Sequence, residues 1–243
     1  MIDFTFISLY EREISTFFER GILKKAIDNQ YINSTYINLR NYAEHPHYKV
    51  DDYPYSNKQG LILKYDVMKL ALMESANNAV IIYPDPKGVS FTYKQAKLLS
   101  LESKITFLSG AFEGVDERIF SEFNIQRYSI GDFVIPNGDS AAIVMAEAIA
   151  RNVPGVVGCS DCVLDDSIVS GLLEFPQFTA PRQVDGHIVP EVLYSGNHSM
   201  VDDWRQREQL KLTLLKRPDL INLFNFNEKL VTIMDQVIME DLV

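Results

Sequence analysis

Apolar residues crowd positions 2–9, IDFTFISL, where β-branched and aromatic side chains predict a strand. From 13 to 29 the spacing changes. Ile14, Phe17, Phe18, Ile22 and Ala26 fall near one face, which predicts an amphipathic helix. YINSTYINL, 31–39, returns to strand. The stretch 41–60 is polar and aromatic with two prolines and reads as a long loop, a length usually tied to function or mobility. A helix is expected over 66–75 and a buried strand over 79–83, followed by the loop PDPKG. A helix over 92–102, N-capped by Thr92, leads into a strand at Lys104–Leu108. Another strand is expected over 128–135, then a helix over 140–152 capped by Asn137 or Asp139. Strand and helix alternate through the first 155 residues, which predicts an α/β fold with a mostly parallel sheet.

Pro154, Pro176, Pro181 and Pro190 punctuate the next part of the chain. Residues 153–198 read as loop-rich with one short helix over 167–173. Helix resumes over 201–216, RPDL breaks it, and a last helix spans 227–241. The C-terminal part therefore reads as a small helical domain behind a Pro-rich linker, and the chain shows no internal repeat.

Three strand ends within sixty residues run into proline- or glycine-containing loops: PDPKG after 83, SGAFEGVDER after Leu108, and the loop bracketed by Gly131 and Gly138. Such exits build a small-molecule pocket at the carboxyl ends of the strands of an α/β fold. No G-x-G-x-x-G follows the first strand, which argues against a Rossmann-type cofactor site. Ionisable groups come next, Arg151 and then Asp165 and Asp166. A ligand cradle followed by a cation and a base points to an enzyme.

Composition narrows the class. The 243 residues are 47% hydrophobic and 23% charged, ordinary for a globular protein with a real core. No apolar run approaches the ~20 residues of a membrane span. The N-terminus lacks the basic-then-apolar pattern of a signal peptide. The two cysteines, Cys159 and Cys162, form a lone CSDC with no second pair for zinc, so two reduced thiols in a cytoplasmic protein are expected. Net charge is −10, which on charge alone disfavours a nucleic-acid partner. The exception is 182–217, at net +1, with Arg205, Arg207, Lys211, Lys216 and Arg217. That stretch is either a nucleic-acid patch or a solvated helix face.

Seven ordered blocks carry more specific information: NLRNYAEHPHYKVDD, LSGAFEGVDERI, YSIGDFVIPNGDSAA, ARNVPGVVG, DDSIVSGLLEFPQFTAP, VPEVLYSGNH and WRQREQLKLTLLKRPDL. In this order they resemble the TrmD family of bacterial tRNA (guanine-N1)-methyltransferases, of the SPOUT superfamily, over nearly the whole chain. The resemblance implies an α/β cofactor-binding domain with a deep trefoil knot over 1–160, a linker over 161–176 and a helical tRNA-binding domain over 177–243. It implies a cytoplasmic homodimer with active sites at the subunit interface. The expected reaction moves a methyl group from S-adenosylmethionine to N1 of the guanine just 3′ of the anticodon, position 37. A guanine on its 5′ side is preferred, and the anticodon stem-loop is the partner. Departures from the family pattern are Ser109-Gly110-Ala111-Phe112 for Cys-Gly-Arg-Tyr, Asn137-Gly138 for a double glycine, and Ala180 and Asn41 for charged residues. The family's glycine-rich loop reads Ser56-Asn57-Lys58-Gln59-Gly60. The changes at Ala111, Ala180 and Asn41 bear on tRNA contacts more than on the cofactor pocket.

By the same resemblance Asp166 matches the general base, Arg151 the cation that holds O6 or a phosphate, and Glu113 a contact to cofactor, to Asp166 or to an accompanying Mg²⁺. No ligand spacing in the sequence calls for that ion. Each residue has a plainer reading: Asp166 as a helix N-cap, Arg151 as a charge at a helix C-terminus, Glu113 as an ion-pair partner of Arg118. The cofactor set is Tyr83, Pro84 and Pro86 on the first loop, Gly110 and Phe112 on the second, and Ile130, Gly131, Asp132, Phe133, Val134, Ile135 and Gly138 on the third. Trp204 and the basic residues after it are the expected anticodon-loop platform. Two rival readings remain, a methyltransferase for another RNA site and a binding protein without turnover.

Overall fold

A computed structural model describes residues 1–55, 59–158, 166–221 and 228–241. The chain divides into two compact units, Met1–Gly158 and Cys159–Val243.

The first unit holds β1 (Ile2–Ser8), β2 (Ile32–Asn38), the short antiparallel pair β3 (Asp51–Asp52) and β4 (Ile62–Leu63), then β5 (Val80–Ser90), β6 (Lys104–Leu108) and β7 (Ile125–Ser129). Five of these form one sheet in the order β2-β1-β6-β5-β7, every pair parallel. A parallel sheet needs cover on both faces. Helices α1 (Glu11–Phe18), α2 (Gly21–Asp28), α3 (Tyr65–Ser75), α4 (Tyr93–Leu99), α5 (Arg118–Glu122) and α6 (Asp139–Ala150) supply it. On one face Phe4, Phe6 and Phe107 pack with Ile14 and Phe18 of α1, Leu23 of α2, Leu99 of α4 and Met145 and Ile149 of α6. On the other, Ile7, Ile81 and Leu108 pack with Val67, Met68 and Leu72 of α3 and Ile119 of α5. The α/β class and the parallel sheet expected from the alternation are what the chain builds.

Several boundaries move. The helix expected over 13–29 is two, because Arg20 is extended (φ −142°, ψ 165°) between α1 and α2. The strand expected to end at Tyr83 continues through PDPKG to Ser90. It stays paired with β7 across a register shift between Pro84 and Val89. At Gly88 a Cβ would lie 2.5 Å from the Arg127 carbonyl carbon and the Tyr128 nitrogen. Only glycine allows that strand-to-strand approach. The strand expected over 128–135 is β7, three residues earlier, and 130–138 is loop. Thr92 occupies the N-cap position of α4 but makes no backbone cap bond; its hydroxyl meets the Gln95 side chain. Ahead of α6, Asn137 Oδ1 accepts the Asp139 N–H at 3.1 Å. β3, inside the long stretch 41–60, pairs with β4 just beyond it.

The second unit opens on turns. The helix expected over 167–173 is absent: Ile168 is left-handed (φ 76°), and its N–H donates to Leu172 O at 2.8 Å. A hairpin that patterning missed joins Gln183–Val184 to His187–Ile188 through Asp185 and Gly186, both at positive φ. Asp-Gly is the composition that such a turn demands. The helix expected over 201–216 starts earlier, at His198, where Asn197 Oδ1 accepts the Met200 N–H. It spans His198–Lys216, and a helical turn, Pro218–Ile221, follows the break at Arg217. The last helix, Glu228–Asp241, packs on His198–Lys216, with Leu210, Thr213 and Val237 buried and Arg207 Nη2 2.7 Å from Glu240 Oε2. Among the described residues no helix is long and apolar enough to cross a membrane. Cys159, Cys162, Asp165 and the 56–58 part of the loop lie outside the described residues.

Candidate functional site

β6, β5 and β7 are neighbours in the sheet, and residues 83–87 of β5 with the segments beyond β6 and β7 help to line one cavity of about 370 Å³. That volume lies within the range of small-molecule sites. Tyr83, Pro84 and Pro86 come from β5 rather than from a loop. Gly110, Phe112 and Glu113 come from the segment after β6. Ile130, Gly131, Phe133, Val134, Ile135 and Gly138 come from the segment after β7. Asp132, grouped with these in the sequence, is exposed and does not line the cavity.

Backbone closeness shapes the cavity. Gly138 N donates to Gly110 O at 2.8 Å, and a Cβ on Gly138 would sit 3.1 Å from Gly110 N and 3.3 Å from Ser109 Cα. Neither neighbour is a side chain that can swing away, so these two segments meet only through glycine. Phe112 is held at φ 56°, a conformation of order 1 kcal/mol or more unfavourable for a non-glycine residue and typical of ligand sites. The segment after the long loop docks here too. Glu113 N donates to Leu61 O at 3.0 Å, Leu63 N to Gly114 O at 3.0 Å, and Asp116 N to Leu63 O at 3.0 Å.

One wall is electrostatic. Asp85, Glu113 and Glu117 supply carboxylates and Lys87 one ammonium. Arg127 of β7 reaches behind this wall: its Nη1 is 3.4 Å from Asp85 Oδ2, its Nη2 bonds Glu117 Oε1, and its guanidinium lies 3.5 Å over the Phe120 ring. Phe120 in turn meets Tyr83 edge-on, ring centroids 5.2 Å apart. Burial, reinforced by Asp85, pushes the Tyr83 hydroxyl well above the usual phenol range, so it stays neutral against Gly110. Asp85 and Glu117 were legible only as members of the pocket-loop sequences, and Phe120 and Arg127 not at all. They converge through the β5–β7 pairing, which sets Tyr83 opposite Arg127, and through the packing of α5 against it.

The remaining candidates are not among the residues that line the cavity. Arg118 holds Asp116, Nε–Oδ1 2.9 Å and Nη2–Oδ2 2.6 Å. Arg151 is the C-cap residue of α6, as its plainer reading expected, and its N–H donates to Glu147 O at 3.0 Å. Since α6 meets the cavity at Ala141, ten residues of helix put Arg151 ~15 Å further along. Asp166 is half-buried in the second unit, where its carbonyl accepts the Val169 N–H at 3.2 Å. No helix follows it, so the N-cap reading of Asp166 fails. In that unit Trp204 meets Phe175 and Phe178, both at 6.4 Å, and Arg205 lies 5.0 Å over Phe175. Three arginines of the mildly basic stretch already hold carboxylates: Arg205 with Asp202, Arg207 with Glu240, Arg217 with Asp219. Among the described residues no group of three or more His, Cys, Asp or Glu side chains is placed to hold a metal ion.

Behind the cavity Asp139 is 3% exposed at the start of α6. Burial raises its carboxyl pKa; Ser8 and Ser109 pull it partway back, and Glu13 and Glu11 raise it again. Asp139 Oδ1 and Ser109 Oγ close no hydrogen bond of ordinary geometry. A pKa raised on folding contributes stability that is complete below the unfolded value, ~3.9, and is lost as pH rises through the folded one. Asp139→Asn is therefore expected to be more stable than the parent by ~1 kcal/mol at pH 8, with the gain gone at pH 4. Thermal unfolding across that range measures it; a difference independent of pH rules it out.

The sequence matches the family described as tRNA (Guanine-1)-methyltransferase TrmD over residues 2–223. It is 39% identical over 218 residues to the tRNA (guanine-N(1)-)-methyltransferase of Staphylococcus carnosus, covering 89% of either chain. To the protein of the same name from Clostridium tetani it is 36% identical over 214 residues, 87% of this chain and 89% of that one. The Bacillus licheniformis protein of that name gives 36% over 228 residues, 92% and 94%.

Proposed function

The chain belongs to the tRNA (guanine-N1)-methyltransferase family, and from that membership we propose that it methylates N1 of the guanine immediately 3′ of the anticodon, position 37, with S-adenosylmethionine as donor. The observation that carries the reading is a cavity lined by β5 and by the segments beyond β6 and β7, with three acidic residues and one lysine among its lining residues. S-adenosylmethionine carries a sulfonium and an ammonium against one carboxylate, and glycine-rich backbone lets peptide groups approach the adenine edge. The group fits the residues present.

Guanine N1 is protonated at neutral pH and is a poor nucleophile. The donor's sulfonium supplies an already activated methyl group, so the protein must deprotonate N1 and align it. In this reading the Asp166 carboxylate takes the N1 proton, and the N1 lone pair attacks the methyl carbon. The C–S bonding electrons stay on sulfur as a thioether. Negative charge spreading onto O6 is met by Arg151, whose planar guanidinium stays charged. Glu113 lines the cavity and is assigned to hold the cofactor in this reading. No step is assigned to Mg²⁺, since no described cluster is placed to hold it.

Arg151 stands ~15 Å along α6 from the cavity of its own chain, and the apolar Phe133 and Val134 at the cavity lip are 58% and 98% exposed. Both features support a homodimer in which a second copy completes each site. A knotted cofactor domain over 1–160, a linker over 161–176 and a tRNA-binding domain over 177–243 accompany this reading, as does a cytoplasmic location, where tRNA is modified. The aromatic group around Trp204, with Arg205 stacked on Phe175, suits unstacked bases of an anticodon loop.

The test is methyl transfer from labelled S-adenosylmethionine to two tRNA transcripts, with guanine or adenine at position 37. Transfer to the guanine transcript alone is expected. Transfer to both means another target nucleotide, and transfer to neither sinks the enzyme reading.

A further inference from the structure

The cavity wall carries a charge device that the reaction chemistry does not use. Asp85 is 7% exposed, lines the cavity, and has one oxygen toward Arg127 at 3.4 Å and the other accepting the Lys87 N–H at 2.9 Å. Glu117, at the N-cap position of α5, shares the same guanidinium. Arg127 does not line the cavity, yet it holds three residues that do, Asp85, Glu117 and Phe120. Its side chain is 23% exposed and that of Asp85 7%, so solvent screens this pair weakly, whereas Glu117 is 67% exposed and well screened.

We infer that Arg127 is a positioning and specificity residue that sets how strongly the cavity prefers a cationic sulfonium ligand over the neutral thioether left after transfer. The geometry gives it two roles. The guanidinium, sandwiched between the Phe120 ring and two carboxylates, braces the irregular Pro84–Val89 part of β5 against β7. It also pairs with two of the three carboxylates, and its one positive charge offsets one unit of their negative charge. If the full charge faced the ligand, the donor would bind tightly and a neutral product would compete poorly. With the charge partly offset, donor and product differ less. The residue therefore tunes discrimination between substrate and product rather than the chemical step.

This rests on the cavity being the S-adenosylmethionine site. The test is isothermal titration of the full chain with S-adenosylmethionine and with S-adenosylhomocysteine at low salt, without tRNA. In Arg127→Gln the ratio of product Kd to donor Kd is expected to rise three- to tenfold, the effect of one unit charge in a partly solvated wall. In Asp85→Asn, which keeps an oxygen for the Lys87 N–H, the ratio is expected to fall by a similar factor. The double variant returns close to the parent, and the shifts shrink at high salt. Should Arg127→Gln fail to fold, Asp85→Asn decides the matter alone. A purely structural brace weakens both ligands equally, so an unchanged ratio in a folded variant overturns the inference while leaving the site assignment standing. A parent protein that binds neither ligand overturns both.

Discussion

Asp166→Asn is expected to slow methyl transfer by about 10²–10⁴-fold, the usual contribution of a positioned general base. Affinity for S-adenosylmethionine should stay within about twofold, because Asp166 belongs to the second compact unit and the cavity is built entirely from the first. Single-turnover transfer to the guanine-37 transcript measures the first quantity and titration of the donor the second. The substitution preserves shape, and the Asp166 backbone carbonyl still closes its turn with Val169. A loss of rate therefore reports chemistry rather than folding. Raising the pH separates the readings further, since a higher pH deprotonates N1 without help and should partly restore the variant. Turnover within threefold of the parent removes Asp166 from the mechanism.

Phe107→Ala is expected to cost about 3–5 kcal/mol of folding stability, the range for deleting a buried aromatic ring. Phe107 is fully buried on the central strand β6. Its ring stacks on Phe6 (centroids 5.2 Å, planes 8° apart) and lies 6.1 Å from Phe4. The ring cannot be replaced by local collapse, because β6 is hydrogen-bonded on both sides, to β1 and β5. Ser109 and Gly110 lie two and three residues later, so the same cavity should loosen the backbone that meets Gly138. Urea unfolding of parent and variant gives the number. A loss below 1 kcal/mol would mean that the aromatic group is not the keystone of this face.

These two residues show how unevenly the molecule could be read. The strands that carry Phe4, Phe6 and Phe107 were legible because short apolar runs between turn signals announce strands. PDPKG and the loops beyond β6 and β7 were legible as a pocket because strand ends in a parallel sheet share one edge. The first helix failed as one piece because hydrophobic spacing is blind to a backbone turn at Arg20. PDPKG failed as a loop because prolines discourage strand, and here β5 is irregular where they occur. The Asp185-Gly186 hairpin carried a readable turn signal, passed over in a loop-rich stretch.

Local spacing and turn chemistry thus determined the α/β class, the parallel sheet and most of the cavity's glycine and proline lining. These depend on neighbours a few residues apart, and the ordered blocks added the reaction. The charge balance of the cavity was decided only by the fold. Asp85, Glu117, Phe120 and Arg127 belong to three elements, β5, α5 and β7, with no local pattern linking all three, and only the tertiary packing of that helix and the two strands brings them together. The same holds for buried Asp139, whose carboxyl lies against Ser8 and Ser109, residues 131 and 30 positions away. Electrostatic energy depends on distance through space and on burial, and the order of residues along the chain encodes neither until the backbone has closed.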